Sequence, residues 1–280
     1  MPLFVVATPL GNLGDITQRA MDTLRDAELI VAEDTRVARK LLSAIGIDSK
    51  EVWSYREQNA AAVTTGILER ARKQRVVLVT DAGTPGISDP GNELIAAARD
   101  ARIPIDVLPG PSALVGAAVL SGFPLRRFTF EGFPQRSAAA RRKQFTQALH
   151  TGMTTIWFES PQRIHAALAD LAAVAPDARV FVVREYTKKF EQQLLGTPAQ
   201  VAAELAEPVR GEIAFALAPY ASPEAENVPA DLDAAIDALL ASGASVAEVA
   251  RRLAHAGAGN RRDLYTRASQ RRAPNKHPRK

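Results

Sequence analysis

The chain has 280 residues, a length that suits about two domains at roughly 150 residues each. Hydrophobic residues make up 46% and charged residues 24%, and these values exclude collagen-like, coiled-coil and wholly disordered proteins. The absence of cysteine excludes disulfides, thiolate metal sites, iron–sulfur clusters and thiol nucleophiles. The four histidines lack metal-ligand spacing, so we predict no metal site.

The most apolar stretch, residues 113–120, is far shorter than a membrane span, and no basic segment precedes the first apolar run. We therefore expect a soluble, cytoplasmic protein. The net charge is +4, but residues 251–280 hold ten Lys and Arg and a single acid, Asp263. The other 250 residues carry a net charge of −5. This asymmetry indicates either a polyanionic partner at the C-terminal end or a solvated basic tail.

The first half of the chain alternates short apolar runs with helical patterns. Continuous apolar character predicts buried parallel strands at 3–7, 29–32, 76–80 and 105–108. Helical spacing predicts helices at 15–28, 60–73, 93–100 and 112–121, the first capped by Asp15 with Gln18 as its capping-box partner. This alternation predicts a doubly wound α/β domain over residues 1–121.

Gly122 and Pro124 interrupt the pattern, and we place a domain junction there. A second α/β domain is predicted over 122–220, with strands at 128–131, 154–158, 180–184 and 213–217 and helices at 138–149, 162–173 and 198–205. Residues 221–230 have linker composition. Residues 231–280 are predicted to form a small, basic helical domain and tail, with helices at 231–240, 246–254 and 261–268.

Three glycine-rich segments, at 8–15, 81–91 and 109–112, each follow a predicted strand. In an open α/β sheet ligands bind beyond the carboxyl ends of the strands, so these loops are expected to meet. Neither the dinucleotide fingerprint nor the phosphate-loop motif occurs, which disfavours NAD and ATP hydrolysis. Asp81, at a strand end, suits ribose hydroxyls and favours a nucleoside cofactor without pyrophosphate. The alternative is that all three segments are ordinary βα turns.

Several motifs occur together in a fixed order: Ala-Thr-Pro-Leu-Gly-Asn-Leu-Gly-Asp-Ile at 7–16, Ala-Glu-Asp-Thr-Arg at 32–36, Asp-Ala-Gly-Thr-Pro-Gly-Ile-Ser-Asp-Pro-Gly at 81–91, Leu-Pro-Gly-Pro-Ser at 108–112, Glu-Gly-Phe at 131–133, Glu-Ser at 159–160, Arg-Glu-Tyr-Thr-Lys at 184–188 and Arg-Gly-Glu at 210–212. In them the chain resembles the ribosomal RNA small-subunit methyltransferase I family, cytidine 2′-O-ribose methyltransferases of the tetrapyrrole methylase superfamily. Residues 254–268 resemble the family's small C-terminal helical domain. One departure lies at 55–59, where Glu57 lacks the flanking histidines of the family.

The resemblance implies two α/β domains with S-adenosyl-L-methionine in the cleft between them, a homodimer, and methylation of a cytidine in the decoding region of small-subunit (16S) ribosomal RNA. The residues expected to bind the cofactor are Pro9, Asp81, Gly83, Thr84, Ile87, Ser88, Asp89, Ser112, Ile213 and Ala214. The partner is ribosomal RNA, either free or within the assembled small subunit.

The reaction needs a base for the ribose hydroxyl. The matched motifs offer Glu33, Asp34, Glu159, Glu185 and Lys188 as candidates. We place the catalytic site at Glu159, Glu185 and Lys188, where a lysine base has to be neutral. The alternative is that the two glutamates pair with Arg163 and Arg184 as structural ion pairs.

RNA binding demands cations for phosphates and flat side chains for bases. The residues expected to contact RNA are Arg36, Arg136, Arg141, Arg142, Lys143, Arg261, Arg262 and Tyr265. Helices on either side of a glycine turn at 257–260 resemble a helix-turn-helix reader of nucleic acid, or else a small packing domain with a basic face. Two alternative functions remain: a tetrapyrrole or protein methyltransferase of the same superfamily, and a non-catalytic RNA-binding factor of ribosome assembly.

Overall fold

The computed structural model describes residues 1–205, 207–220, 231–255 and 258–272. These ranges contain two five-stranded sheets with flanking helices and a C-terminal group of three helices, which confirms the predicted α/β fold class. Within the same ranges no helix is long and apolar enough to cross a membrane. The predicted linker at 221–230 lies outside the described residues.

The first sheet is parallel throughout and has the strand order β3-β2-β4-β1-β5. Its strands are β1 (Leu3–Val6), β2 (Leu29–Ala32), β3 (Glu51–Ser54), β4 (Val76–Val79) and β5 (Ile105–Leu108). The helices of this half are α1 (Gln18–Arg25), α2 (Thr35–Ala44), α3 (Ala60–Ala71), α4 (Asn92–Asp100) and α5 (Ala113–Ser121). Since every strand runs in the same direction, the loops after the strands meet at one edge of the sheet.

Successive side chains of a strand point to opposite faces of this sheet, and a hydrophobic core lies on each face. Leu3 and Val5 pack with α3 and α4, whereas Val6 packs with α1 and α2 on the opposite face. The central strands β2 and β4 are buried at every position. This double burial explains why their sequences are continuously apolar rather than alternating.

The second sheet is mixed and has the order β6-β7-β10-β8-β9, in which only β6 and β7 are parallel. Its strands are β6 (Phe128–Gly132), β7 (Thr154–Glu159), β8 (Val180–Arg184), β9 (Gln192–Gly196) and β10 (Ile213–Leu217). The helices α6 (Ala138–Leu149), α7 (Ile164–Val174) and α8 (Pro198–Glu204) contribute to its core. In that core the Trp157 ring stacks on Phe215 at 5.9 Å and meets Phe145 edge-on at 5.2 Å between ring centroids.

Helix α5 connects the two halves by packing. It ends at Ser121, and Gly122 takes a left-handed conformation (φ +66°) directly after it. Ala117 and Ala118 pack against Ile156 and Phe181 of the second sheet. Helix α5 therefore precedes the predicted junction at 121–122 in the sequence, but it packs against the second sheet.

Four elements differ from the predictions. The first helix begins at Gln18 and not at 15, because Thr17 caps it by accepting a hydrogen bond from the Ala20 N–H at 3.1 Å; Asp15 instead ends a 3₁₀ turn. Helix α2 was not predicted, although Asp34 caps it. Strands β3 and β9 were missed since both lie at sheet edges and have polar residues among their members.

The C-terminal helices are α9 (Leu232–Ala241), α10 (Val246–His255) and α11 (Arg261–Arg272), each within a few residues of its prediction. Ile236, Val249 and Leu264 form the centre of their shared core. Arg267 and Arg271 of α11 make ion pairs with acids of α9, so part of the basic charge serves to hold these helices together.

Candidate active site between the two sheets

Backbone contacts join the glycine-rich loops at the edge of the first sheet. Thr8 and Gly83 exchange two backbone hydrogen bonds, at 2.9 and 3.0 Å, which tie the loop after β1 to the loop after β4. The Thr84 hydroxyl donates to the Pro111 carbonyl at 3.2 Å and so adds the loop after β5. The three segments thus form one surface.

Asp81 connects this surface to α2. Its carboxylate accepts a hydrogen bond from the Asp34 N–H at 3.0 Å. The Asp34 carboxylate accepts in turn from the Arg36 backbone N–H at 2.8 Å and from the Arg36 guanidinium, and these bonds lower the pKa of Asp34. Asp34 is therefore an ionised helix cap and not a proton acceptor at neutral pH. Arg36 projects into solvent with most of its side chain exposed.

A cleft of about 430 Å³ opens between this surface and the second sheet. Its volume lies in the range of small-ligand sites. The residues that line it are Leu10, Glu33, Asp81, Ala82, Ile87, Ser88, Asp89, Ala113, Phe133, Phe158, Glu159, Ser160, Pro161, Val183, Tyr186, Gly211, Glu212, Ile213 and Ala214. Both halves of the chain contribute, as the resemblance implied.

Six of the ten residues predicted to bind cofactor line this cleft: Asp81, Ile87, Ser88, Asp89, Ile213 and Ala214. Gly83 and Thr84 lie behind it in the contacts between loops. Ser112 caps α5 and lines a neighbouring hollow, and Pro9 is absent from the lining of either. Among the lining residues that sequence reasoning did not select, Phe133 and Gly211 belong to motifs that carried the resemblance, whereas Phe158 had no motif signal.

The cleft is acidic. Glu33, Asp81, Asp89, Glu159 and Glu212 line it, and no Lys or Arg is found among its described lining residues. Burial, together with the neighbouring carboxylates of Glu33, Asp81 and Glu212, raises the pKa of Asp89 to about 7. Burial and the Asp81 carboxylate likewise raise the pKa of Glu33. A cation that enters this cleft is therefore stabilised, and an anion is repelled.

Glu185 and Lys188 lie outside the cleft lining and form an ion-pair cluster with Glu212. The Lys188 ammonium donates to Glu185 at 2.9 Å and to Glu212 at 3.0 Å. Burial disfavours the charged lysine, but these hydrogen bonds outweigh it and raise the pKa of Lys188. A catalytic base at Lys188 would have to be neutral, and the hydrogen bonds to Glu185 and Glu212 favour the charged form instead. Glu185 pairs with Lys188 and not with Arg184, which was the predicted alternative.

Glu159 lies at the end of β7 with its carboxylate buried in the wall of the cleft. One carboxylate oxygen accepts from the Ser160 N–H at 2.7 Å, and the other is 3.1 Å from a guanidinium nitrogen of Arg163. Burial raises the pKa of Glu159 despite these partners. Glu159 therefore lies in the wall of the cleft, and it also forms the ion pair with Arg163 that the alternative prediction named.

The predicted RNA contacts separate into exposed and buried groups. Arg136, Arg142, Lys143, Arg261, Arg262 and Tyr265 are exposed. The prediction that Arg141 contacts RNA is wrong. Arg141 is only 6% exposed, and its guanidinium donates hydrogen bonds to Asp170 and to the carbonyls of Gln135 and Arg136. The position of Arg141 on the inner face of α6 makes it a structural residue that is closed to RNA.

Comparison with known proteins agrees with this architecture. Residues 2–202 match the family model of Tetrapyrrole (Corrin/Porphyrin) Methylases. The chain is 44% identical over 206 residues to ribosomal RNA small subunit methyltransferase I of Xylella fastidiosa, covering 73% of this chain and 75% of that protein. It is 39% identical over 272 residues to the protein of the same name from a Synechocystis species, covering 94% and 95%.

Solved structures share the fold at lower identity. The cobalt precorrin-4 methyltransferase CbiF superposes with a TM-score of 0.61 at 18% identity, covering 78% of this chain and 94% of that one. Uroporphyrin-III C-methyl transferase from Thermus thermophilus, complexed with S-adenyl homocysteine, superposes with a TM-score of 0.54 at 18% identity, covering 78% and 97%. The chain belongs to the tetrapyrrole methylases and, within them, to the family of ribosomal RNA small subunit methyltransferase I.

Proposed function

We propose that this protein transfers a methyl group from S-adenosyl-L-methionine to the 2′ oxygen of a cytidine ribose in the decoding region of small-subunit ribosomal RNA, in the cytoplasm. The observation that carries the proposal is the acidic cleft between the two sheets, with a basic surface beside it. The curated relatives named ribosomal RNA small subunit methyltransferase I support the substrate class.

The residues of the cleft fit this cofactor. S-adenosyl-L-methionine carries a sulfonium and an ammonium group, and the carboxylates of Glu33, Asp81 and Asp89 suit both. When bound, the cofactor supplies an electrophilic methyl carbon. Asp81 is placed to accept hydrogen bonds from ribose hydroxyls, and the apolar side chains of Val183 and Ile213 offer a wall for a flat base.

Close packing supports the cleft from the second sheet. A Cβ at Gly211, where φ is +91°, would overlap the Glu185 carboxylate, so this position admits only glycine. Glu185 also accepts a hydrogen bond from the Glu212 N–H at 3.1 Å. Glu185 and Lys188 are therefore proposed as positioning residues for the 211–214 wall. Glu159 is also proposed as a positioning residue, since one oxygen accepts from the Ser160 N–H and its carboxylate forms an ion pair with Arg163.

A second hollow, of about 530 Å³, shares Phe133, Glu159 and Ser160 with the cleft and adds the cations of Arg136 and Arg163. The exposed Arg136 gives RNA phosphates a place beside the acidic cleft, whereas Arg163 is held by Glu159 and by the Pro134 carbonyl. Arg142 and Lys143 continue the exposed basic surface along α6. The exposed Arg261, Arg262 and Tyr265 of α11 provide a second basic surface. We propose that RNA contacts both.

We further propose that the protein works as a homodimer. Helix α5 is apolar on every side, and its outer face leaves Val115 57% and Val119 65% exposed, close to one turn apart. Val107 of β5 is also half exposed. Apolar side chains in such a group favour coverage by a second copy of the chain. Sedimentation analysis of the wild type and of Val119→Lys tests this: a dimer that becomes monomeric in the variant is expected.

Transfer of labelled methyl groups tests the reaction itself. The protein is incubated with S-adenosyl-L-methionine labelled in the methyl group and with either small ribosomal subunits or free ribosomal RNA. Digestion to nucleosides is expected to place the label in 2′-O-methylcytidine. Label on a base carbon or nitrogen, or no transfer to either RNA, would contradict the proposal.

Cofactor placement has a separate test by calorimetry with S-adenosylhomocysteine. Folded Asp81→Ala is expected to bind it at least about tenfold more weakly, because a charged hydrogen-bond acceptor is lost. Asp100→Ala, at the exposed end of α4, is the control and should bind as the wild type does. Equal affinity of wild type and Asp81→Ala would show that the cofactor binds elsewhere.

A further inference from the structure

A smaller cavity of about 300 Å³ lies on the far side of the loop after β4, between the first turns of α3 and α4. Its lining residues are Tyr55, Glu57, Ala60, Ser88, Asp89, Pro90, Gly91, Asn92 and Glu93. Ser88 and Asp89 line this cavity and also the larger cleft. Two ligands bound on either side would therefore meet at these two residues.

The charge of this cavity excludes a phosphate group. Glu57, Asp89 and Glu93 contribute carboxylates, and its described lining includes no Lys or Arg. A phosphate among three carboxylates would be repelled. Carboxylates instead accept hydrogen bonds from amino groups, as Asp and Glu do from the exocyclic amine of cytosine.

The cavity also offers hydrogen-bond donors. Helix α4 begins beside it, and its N-cap residue Gly91 has no side chain with which to cap the first backbone N–H groups. Tyr55 also lines the cavity and is 2% exposed; burial raises the pKa of its hydroxyl, which lies near Thr64 and the backbone of Leu94 in α4. Donors beside carboxylates match a base that presents an amine next to a ring nitrogen and a carbonyl.

We propose that this cavity, which we call the nucleoside pocket, receives the base of the target cytidine, and that Asp89 takes the proton from its ribose 2′ hydroxyl. The inference rests on the proposed function and adds the site of the acceptor. A base held at Glu57 and Glu93 places its ribose toward Ser88 and Asp89, the wall shared with the cofactor cleft. RNA phosphates then remain on the side of Arg136 and Arg163.

In the methyl-transfer step Asp89 has one role, that of proton acceptor. The hydroxyl oxygen bonds to the methyl carbon while the carbon–sulfur bond breaks and its electron pair stays on sulfur; the hydroxyl proton passes to the Asp89 carboxylate. Burial and the carboxylates of Glu33, Asp81 and Glu212 raise the pKa of Asp89 to about 7. The exposed side chains of Glu57 and Glu93 line the nucleoside pocket together with Asp89. A base of that strength is suited to accept a proton near neutral pH.

Photocrosslinking locates the base without reference to turnover. The cytidine methylated by the wild type is first mapped, and it is then replaced by 5-iodocytidine in the RNA. After irradiation with S-adenosylhomocysteine present, mass spectrometry is expected to find the crosslink at residues 55–60 or 88–93. Crosslinks at 133–136 or 159–163 would place the base beside Arg136 and overturn the inference. A wild type that methylates no ribose would instead refute the proposed function.

Substitutions test the two roles separately. Glu57→Gln and Glu93→Gln should each reduce the preference for cytidine over uridine at the target by roughly tenfold, whereas Glu69→Gln, exposed on α3 away from the pocket, should not. Asp89→Asn should slow single-turnover methyl transfer by about 100-fold or more and abolish the rise of the rate with pH near 7. An Asp89→Asn enzyme that retains this pH profile would overturn the assignment.

Discussion

The aliphatic stem of Lys188 lies directly against Gly11, so that a Cβ at position 11 would overlap the Lys188 Cγ. Gly11 belongs to the loop after β1, whereas Lys188 follows β8 of the second sheet. Because residue 11 is glycine, there is room beside it for the Lys188 side chain, which donates hydrogen bonds to Glu185 and Glu212. This contact joins the loop after β1 to the segment after β8.

Gly11→Ala is expected to destabilise the protein by about 1–3 kcal/mol, because the overlap involves an atom near the root of the side chain. Displacement of Lys188 should also weaken the binding of S-adenosylhomocysteine. The control is Gly66→Ala in α3, where a Cβ would meet Trp53 at an ordinary 3.4 Å and alanine favours the helix. Urea unfolding and calorimetry measure both effects; equal stability of Gly11→Ala and wild type would contradict the role of this contact.

Removal of the Lys188 charge should change the response of the protein to acid. Burial opposes ionisation of Glu185, but the hydrogen bond from Lys188 and that from the Glu212 N–H lower the pKa of Glu185 below its ordinary value. The stability that this carboxylate contributes is present above its unfolded pKa and is lost as pH falls through the folded pKa, below about pH 5.

Lys188→Met is therefore expected to be less stable than wild type at pH 7, with a smaller difference at pH 4. Unfolding curves at both values provide the measurement, and Lys189→Met, at an exposed neighbouring position, is the control. A difference that stays constant with pH would show that Lys188 acts through packing alone.

Asp89 should show the opposite dependence on pH. Its folded pKa of about 7 lies above the unfolded value, so the folded protein holds this proton more tightly. Stability associated with Asp89 is then greatest below the unfolded pKa, near 4, and falls as pH rises to 7. Asp89→Asn removes this titration, and its stability relative to wild type should increase from pH 4 to pH 8. Denaturant unfolding with Asp100→Asn as the control tests this; no change in relative stability would refute the raised pKa.

The arginines of α11 should separate into two functional groups. Arg261→Ala and Arg262→Ala are expected to lower RNA affinity and to reduce its dependence on salt, since these exposed side chains are available for phosphates. Arg267 donates to Asp233 at 2.7 Å, and its change to Ala should chiefly destabilise the C-terminal helices. Filter binding at several salt concentrations, together with thermal unfolding, distinguishes the groups; identical salt slopes for wild type and Arg261→Ala would contradict RNA contact there.

The sequence by itself determined the strands of the first sheet that are buried on both faces. Double burial demands continuous apolar runs, and β2 and β4, which are buried at every position, lie within one residue of their predicted bounds. The order of the glycine-rich motifs indicated the family and the meeting of the loops, since the carboxyl ends of parallel strands share one edge of a sheet. Strands β3 and β9 were missed because an edge strand has one partner and tolerates polar residues.

Only the tertiary structure decided what the charged residues do, because the state of a charge depends on neighbours that are distant in sequence. Asp170 takes Arg141 out of the basic surface of α6. Glu185 and Glu212 together raise the pKa of Lys188, although Glu212 is 24 residues away in sequence. The acids that line the cleft follow β2 and β4, end β7 and precede β10, and they come together only because the two sheets face each other. The spacing of apolar residues along the sequence indicates which residues are buried. Which charged side chains meet is decided by how the helices and strands pack against one another.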